Sequence, residues 1–229
     1  MTYLYLLLNL GSLSVPFLFS FHPKLKFYKH WKGLLLGILA GMLLFIPWDV
    51  FFTINQYWGF NPTYYLGKTI FGLPIEEWLF FICIPYACVF THYALLYYFP
   101  NLKLKKRTTK LISYLLIFLF FAVTIYNTDK WYTLINFGVA TILTTVIITK
   151  SPDILQSYLL TFLVMLIPFF IVNGILTGSF IHNEVVWYND HENLGIRMFT
   201  IPVEDSVYAF SLILLNLYII KLFENRKVN

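Results

Sequence analysis

The residues of this chain best suited to acid–base chemistry are four carboxylates, which occur as two adjacent pairs. The four are Glu76, Glu77, Glu204 and Asp205. The prolines before the pairs, Pro74 and Pro202, are 202 − 74 = 128 residues apart, and Gly67 and Gly195 repeat the same spacing. Each pair leads into a long apolar run. Acids are costly in such surroundings, and the repeated motif therefore indicates a functional site.

Adjacent carboxylates in a partly dry site can act as a general acid and a general base. If burial and mutual repulsion keep one of them protonated, it can donate a proton, and another can accept one later. With aromatic rings to stabilise a cation, such a site could isomerise or cyclise an alkene without a redox cofactor. The competing interpretation is that the acids only cap two helix N-termini, where the helix dipole favours negative charge.

The composition predicts that these pairs belong to a polytopic membrane protein. Of the 229 residues, 59% are hydrophobic and 12% are charged, which is more apolar surface than a soluble domain of this size can bury. Seven stretches are long enough to span, at roughly 20 residues per crossing. They are 2–20, 33–51, 77–99, 109–127, 132–149, 154–173 and 205–222.

The distribution of basic residues predicts the orientation. Of 16 basic residues, 13 fall on one side of a seven-span topology, and the positive-inside rule makes that side cytoplasmic. The N-terminus is then outside, the C-terminus inside and both acidic pairs extracytoplasmic. This placement also argues against a nucleic-acid partner. The 13 are Lys24, Lys26, Lys29, Lys32, Lys103, Lys105, Lys106, Arg107, Lys110, Lys150, Lys221, Arg226 and Lys227.

We therefore expect an all-α integral membrane protein with seven transmembrane helices, arranged as two parallel three-helix repeats and a linking helix. The predicted divisions are a first repeat over 1–107, the linking helix over 108–130 and a second repeat over 131–229. Parallel repeats are related by an axis along the membrane normal. The entrances of the third and seventh spans then lie on one face, where the two acidic pairs could converge.

Other kinds of site have weaker support. A cluster in the last outer loop could bind a metal, but solvated loop charges are the favoured interpretation, and we expect no metal. A nucleotide site has no glycine-rich motif to support it, and a retinal Schiff base has no lysine in the middle of the seventh span. The cluster comprises His182, Glu184, Asp190, His191 and Glu192.

The motifs taken together resemble those of the small membrane-integral lycopene β-cyclases, in the form that fuses two subunits into one chain. The resemblance covers essentially the whole length. Its elements are Pro47-Trp48-Asp49, Trp58-Gly59-Phe60 and the segment 72–81 in the first half, with Asn173–Gly178, Arg197–Asp205 and Leu214-Leu215-Asn216 in the second.

The resemblance implies proton-initiated, non-redox cyclisation of the ψ-ends of lycopene to β-ionone rings, giving γ- and β-carotene, with no cofactor. It implies that Glu76 or Glu204 donates the proton, and that Asp49 or a motif partner takes up the ring proton. Arg197 would tune the nearby acids. The implied catalytic residues are Glu76, Glu77, Glu204, Asp205 and Asp49. The implied substrate-binding and cation-stabilising residues are Trp48, Trp58, Trp78, Asn173, Thr177, Arg197 and Tyr208.

Two alternatives stay open at the level of the sequence. The same fold could cyclise another acyclic, monocyclic or C50 carotenoid, because the loop Phe180–Asn193 has no counterpart in the family pattern and leaves end-group specificity open. The chain could also be a non-catalytic carotenoid-binding or transport protein. The expected partners are a carotenoid in the cytoplasmic membrane and either a second copy of the chain or other carotenoid enzymes.

Overall fold

The computed structural model describes residues 2–226, in which each of the seven predicted stretches agrees with an α-helix to within three residues at either end. Met1 and residues 227–229, which include the predicted cytoplasmic Lys227, lie outside the described residues. The helices are α1 Leu4–Phe19, α2 Trp31–Ile54, α3 Ile75–Tyr98, α4 Lys106–Tyr126, α5 Trp131–Lys150, α6 Pro152–Leu176 and α7 Val203–Asn225.

Six of these helices, α2 to α7, are long and apolar enough to cross a membrane. Helix α1 has 16 residues, which gives a length of about 24 Å at 1.5 Å per residue, short of a hydrocarbon core of about 30 Å. The protein is therefore a multi-pass membrane protein. The seventh crossing and the orientation with the N-terminus outside stay predictions.

The prolines of the two acidic motifs mark the starts of helices, as the sequence predicted. Pro74 and Pro202 are the residues before α3 and α7, and the acids fall in the first turn of each helix. Proline suits such a position because its fixed φ matches the helix entry and its missing N–H needs no partner. The two acidic pairs therefore enter their helices with the same local geometry.

The helices pack in a way that joins the two halves of the chain. Helix α1 lies along α3 in the first half, and α5 lies along α7 in the second. Helix α2 packs along α7 of the other half, so the halves share one bundle. The linking helix α4 packs mainly on α5 and touches α6.

Short antiparallel strands organise the two long connections before α3 and α7. Strand β1, Trp58–Phe60, pairs with β4, Val186–Tyr188, and so fastens one connection to the other. Each connection also contains a hairpin. The first hairpin consists of β2 Thr69–Ile70 and β3 Leu73–Pro74, and the second of β5 Arg197–Met198 and β6 Ile201–Pro202.

The two hairpins repeat at the spacing of the acidic motifs, since 69 + 128 = 197 and 74 + 128 = 202. The repetition extends to the backbone angles, because Gly67 and Gly195 have φ of 74° and 67°. Only glycine adopts that left-handed region without strain. Phe71 and Phe199, at the two hairpin turns, also share positive φ values of 52° and 59°. The Leu-Gly pairs in the sequence therefore mark a repeated turn.

Candidate active site

A cavity of about 430 Å³ lies between α1, α3, α6 and α7, and its polar end is at the starts of α3 and α7. Glu77 and Asp205, the second acid of each pair, both line it. Most of the remaining wall is apolar or aromatic. The structure therefore brings one carboxylate from each half of the chain into a single cavity.

The first acid of each pair has a different position. Glu76 and Glu204 are completely buried and are not part of the cavity wall. The Glu76 carboxylate accepts a hydrogen bond of 2.8 Å from the Leu66 backbone N–H, and Glu204 accepts one of 2.8 Å from Leu194. Thr133 also donates to Glu204 at 2.7 Å. These two acids fasten the preceding turn to the helix start instead of capping their own helices.

Asp205 is held by three donors. The Tyr132 hydroxyl donates to one carboxylate oxygen at 2.6 Å. The Tyr188 hydroxyl and the Asn173 amide donate to the other, each at 2.9 Å. All three donors line the cavity beside Asp205. The set suits an ionised carboxylate, which only accepts hydrogen bonds.

Glu77 has a simpler environment. Its carboxylate accepts a short hydrogen bond from Tyr5 on α1. The residue 128 positions before Tyr188 is Phe60, which stacks on Tyr5 with ring centroids 6.4 Å apart and has no hydroxyl to donate. The two cavity acids are therefore equivalent in position and unequal in their hydrogen bonds.

Asp49 lies behind the cavity wall near the C-terminal end of α2. It is completely buried, and it accepts a hydrogen bond of 3.0 Å from the hydroxyl of Tyr208, which does line the cavity. Its backbone carbonyl accepts a bond of 3.3 Å from the indole of Trp58. Asp49 interacts electrostatically with Glu77. A third acid of the predicted set thus belongs to the same buried group.

The predicted substrate-binding residues divide into two groups. Four of them line the cavity, namely Trp58, Asn173, Thr177 and Tyr208. The other three, Trp48, Trp78 and Arg197, lie outside its wall. Trp48 packs on the ring of Tyr208 with centroids 5.9 Å apart, and Trp78 donates to the Ile70 carbonyl at 3.3 Å, which fastens the first hairpin to α3.

Arg197 pairs with Asp190 in the loop before α7. Its guanidinium donates to the Asp190 carboxylate at 2.6 Å and to the Thr200 carbonyl at 3.0 Å, and it lies 5.7 Å from the centre of the Tyr188 ring. Partial burial raises the pKa of Asp190, but hydrogen bonds from Arg197 and Asn193 outweigh this, and the net pKa is lowered. Arg197 therefore steadies the strand that presents Tyr188.

Three phenols that were not predicted from the sequence contact the cavity acids: Tyr5, Tyr132 and Tyr188. For two of them a signal was present, because Tyr5 and Asn9 recur as Tyr132 and Asn136, each 127 residues later. Tyr188 has no such partner. Desolvation and the neighbouring Asp205 raise the Tyr188 pKa well above its ordinary value, so its hydroxyl stays a neutral donor.

The loop cluster that offered a weak metal site does not gather into one. Among residues 2–226, no three His, Cys, Asp or Glu side chains are grouped in a way that could hold a metal ion. Asp190 pairs with Arg197, and the Glu192 carboxylate accepts from the Trp131 backbone N–H at 3.1 Å.

The fold and site define a class of protein: a multi-pass membrane protein that holds paired carboxylates in an aromatic, apolar cavity. The family model described as lycopene cyclase matches residues 2–94 and 129–223. These segments cover more than half of the chain, which therefore belongs to the lycopene cyclase family and is a carotenoid cyclase. The unmatched segment between them contains α4. No match was found among curated proteins or among solved structures.

Proposed function

We propose that this protein catalyses the proton-initiated, non-redox cyclisation of the ψ-ends of lycopene to β-ionone rings. The observation that carries the proposal is the convergence of Glu77 and Asp205, one from each half of the chain, in a single apolar cavity. A polyene has no polar group for the site to bind. The cavity therefore supplies shape, aromatic surface and two groups that can exchange protons.

We assign proton donation to Glu77 and proton removal to Asp205. Three donors surround Asp205 and suit its ionised form, whereas Glu77 accepts a single bond from Tyr5. The charges of Glu77 and Asp49 also interact, and two acids that repel each other in a dry site do not both ionise easily. This assignment differs from the sequence-based expectation that Glu76 or Glu204 donates, because those carboxylates are outside the cavity wall.

The reaction balances without any other reactant. Glu77 gives its proton to the terminal double bond of the ψ-end, which leaves a tertiary carbocation. An internal double bond attacks this centre and closes the ring, moving the positive charge into the ring. Asp205 then removes a proton from the adjacent ring carbon, which forms the ring double bond. The product is an isomer of the substrate, and a proton must pass from Asp205 back to Glu77 before the next turnover.

Aromatic rings next to the acids support the charged intermediates. Trp58, Tyr132 and Tyr188 line the cavity, and the Trp58 ring lies 6.1 Å and 5.9 Å from the other two. The face of an aromatic ring attracts a cation by about 0.5–2 kcal/mol, more when water is excluded. Tyr208 adds a fourth ring from α7.

The proposal includes a sidedness for the site. The basic residues before α2 and α4 lie at the opposite ends of the helices from the acidic pairs. The positive-inside rule then favours an extracytoplasmic position for the acids in the cytoplasmic membrane.

Expression in a bacterial host that accumulates lycopene tests the function. We expect a colour change from red to orange-yellow, with γ- and β-carotene resolved by chromatography. In heavy water the new ring should contain one deuterium from the solvent for each cyclised end. Unchanged lycopene despite good expression would contradict the substrate assignment, and consumption of a different carotenoid would replace it. Cyclic product without deuterium would exclude the proton-initiated route.

A further inference from the structure

The cavity wall is incomplete on one side, between α1 and α6. Helix α1 packs along α3, and α6 contacts α3, α4, α5 and α7, but α1 and α6 barely touch each other. Three residues belong to the cavity wall and are also exposed on the outer surface: Leu7 and Gly11 on α1, and Pro168 on α6. The cavity therefore reaches the lipid-facing surface through this gap.

Where α1 borders the gap, two of the residues that line the cavity are small. At Gly11 an added Cβ would have no heavy atom within 4 Å, and the next wall residue is Ser12. Both neighbours of this pair, Leu10 and Leu13, have large side chains that do not line the cavity. A glycine and a serine on the cavity side of an otherwise bulky helix keep the gap open.

Behind the gap, a continuous stripe of side chains on one face of α3 lines the cavity. The stripe runs from Glu77 through Phe80, Ile84 and Ala87 to Thr91. These positions recur every three or four residues and so share one helix face. All except the acid are partly exposed. The stripe spans 91 − 77 = 14 residues, or about 21 Å at 1.5 Å per residue, with the acid at one end only.

The equivalent position in the second half of the chain is filled. At the 127-residue spacing that relates α1 to α5, Ser12 and Pro16 correspond to Val139 and Leu143, which pack against the aromatic cluster around Phe45. The counterpart of Gly11, Gly138, faces Thr124 of α4, which an added Cβ would approach to 3.8 Å. The opening beside α1 therefore has no equivalent beside α5.

We propose that the gap between α1 and α6 is a lateral portal through which one end of a membrane-dissolved polyene enters the cavity. The inference rests on the function proposed above. The chemistry of the wall favours a polyene over a phospholipid, because no Lys or Arg occurs among the described residues that line it. The closed end instead presents Glu77 and Asp205, which would repel a phosphate group.

Adjacent tryptophan substitutions test the portal. Gly11→Trp and Leu7→Trp place a large ring in the gap, and Leu10→Trp and Ile171→Trp place the same ring on the neighbouring lipid-facing surface. Each is measured in two ways in lycopene-containing membranes: cyclic product formed by the active protein, and carotenoid that copurifies when Glu77→Gln blocks turnover. We expect both readouts to fall about tenfold or more for the two portal variants, because shape changes in apolar pockets act on this scale. The two neighbours should stay near the unsubstituted protein.

Leu10→Trp is the control for folding, since it adds the same ring to α1 at a residue that does not line the cavity. Equal loss in Leu10→Trp and Gly11→Trp would overturn the portal. If Gly11→Trp fails to reach the membrane, Leu7→Trp decides. Normal carotenoid retention in both portal variants would also overturn the proposal and leave the cyclase function standing. Selective loss of retention in the portal variants, with no cyclic product from the unsubstituted protein, would support the portal and reject the proposed reaction.

Discussion

The two acids of each motif are adjacent in the sequence but have different surroundings. Successive residues of an α-helix point about 100° apart, so Glu76 and Glu77 cannot share an environment. Glu76 turns toward Leu66 and holds the turn before the helix, whereas Glu77 faces the cavity. The second motif repeats the division with Glu204 and Asp205. Each pair therefore combines a structural anchor with a carboxylate that faces the cavity.

This division predicts opposite results for neighbouring substitutions. Glu77→Gln and Asp205→Asn keep the size of the side chain but remove the carboxyl group that donates or accepts the proton, and we expect the cyclisation rate to fall by about 10²–10⁴, the usual contribution of general acid–base catalysis. Glu76→Gln and Glu204→Gln keep a carbonyl oxygen that can accept from Leu66 and Leu194. These two should retain activity within a few-fold. The measurement is product per unit of membrane protein over time.

The outcome that would contradict this assignment is the reverse pattern, with the anchor positions more sensitive at equal expression. Such a result would return the donor role to Glu76 or Glu204, as the family resemblance implied. Thermal unfolding of each variant separates a loss of chemistry from a loss of fold. If the Leu66 backbone N–H lost its hydrogen-bond acceptor, the free energy of unfolding would fall by about 1–3 kcal/mol.

At the residue scale, the sequence predicted the acids but not their partners. The carboxylates stood out because charge is rare in this chain and its spacing repeats. Tyr5 and Tyr132 were not recognised as site residues, because tyrosine near the end of an apolar helix is also typical of a membrane interface. Their role depends on whether they face the cavity or the lipid. In a single sequence, the only sign of this is that they recur at the 127-residue offset between α1 and α5.

At the scale of elements, the loop before α7 is fastened by the Arg197–Asp190 pair. Asp190 has a lowered pKa in the folded protein. Its stabilising contribution is therefore present above the unfolded pKa of about 3.9 and is lost as the pH falls through the lower folded value. The pair is partly exposed, and exposed pairs contribute about 0–1 kcal/mol.

We therefore expect Asp190→Asn to lower the midpoint of thermal unfolding slightly at neutral pH. The difference from the unsubstituted protein should disappear below the folded pKa of Asp190. Unfolding curves measured between neutral and acid pH check the sign. A destabilisation that persists in acid would mean that the side chain acts through its hydrogen bonds with Asn193 or through packing, and not through its charge.

The helices were predictable and the strands were not, for a physical reason. An apolar run of about 20 residues has few structures available in a membrane except a helix. Strand β1 has three residues, and its partner β4 begins 186 − 58 = 128 residues after it. No local pattern specifies such a pairing. Each strand of the two hairpins has two residues, which is too short for an alternating pattern to be visible.

At the scale of the whole molecule, two unequal halves of the chain contribute to one cavity. The first half supplies Glu77 and the open gap beside α1. The second supplies Asp205 with its three donors, and its own version of the gap is filled by larger side chains. Because the two halves pack through α2 and α7, both acids of one cavity belong to the same chain.

This arrangement predicts that two inactive chains cannot rescue each other. Co-expression of full-length Glu77→Gln with full-length Asp205→Asn should give no more cyclic product than either alone. The positive control is co-expression of either variant with the unsubstituted chain. Recovery of activity in the mixture would mean that the acids come from different copies of the protein, and that the functional unit is an oligomer with exchanged halves.

The stripe on α3 carries an acid at only one end, and this has a consequence for the order of events in time. A long polyene with two identical ends can present only one of them to Glu77. To modify the other, the molecule must leave, reverse and return. If the proposed reaction holds, the half-finished pigment would spend time free in the lipid, where another enzyme could take it. The final colour of a cell would depend on the outcome of that competition as well as on the chemistry of the cavity.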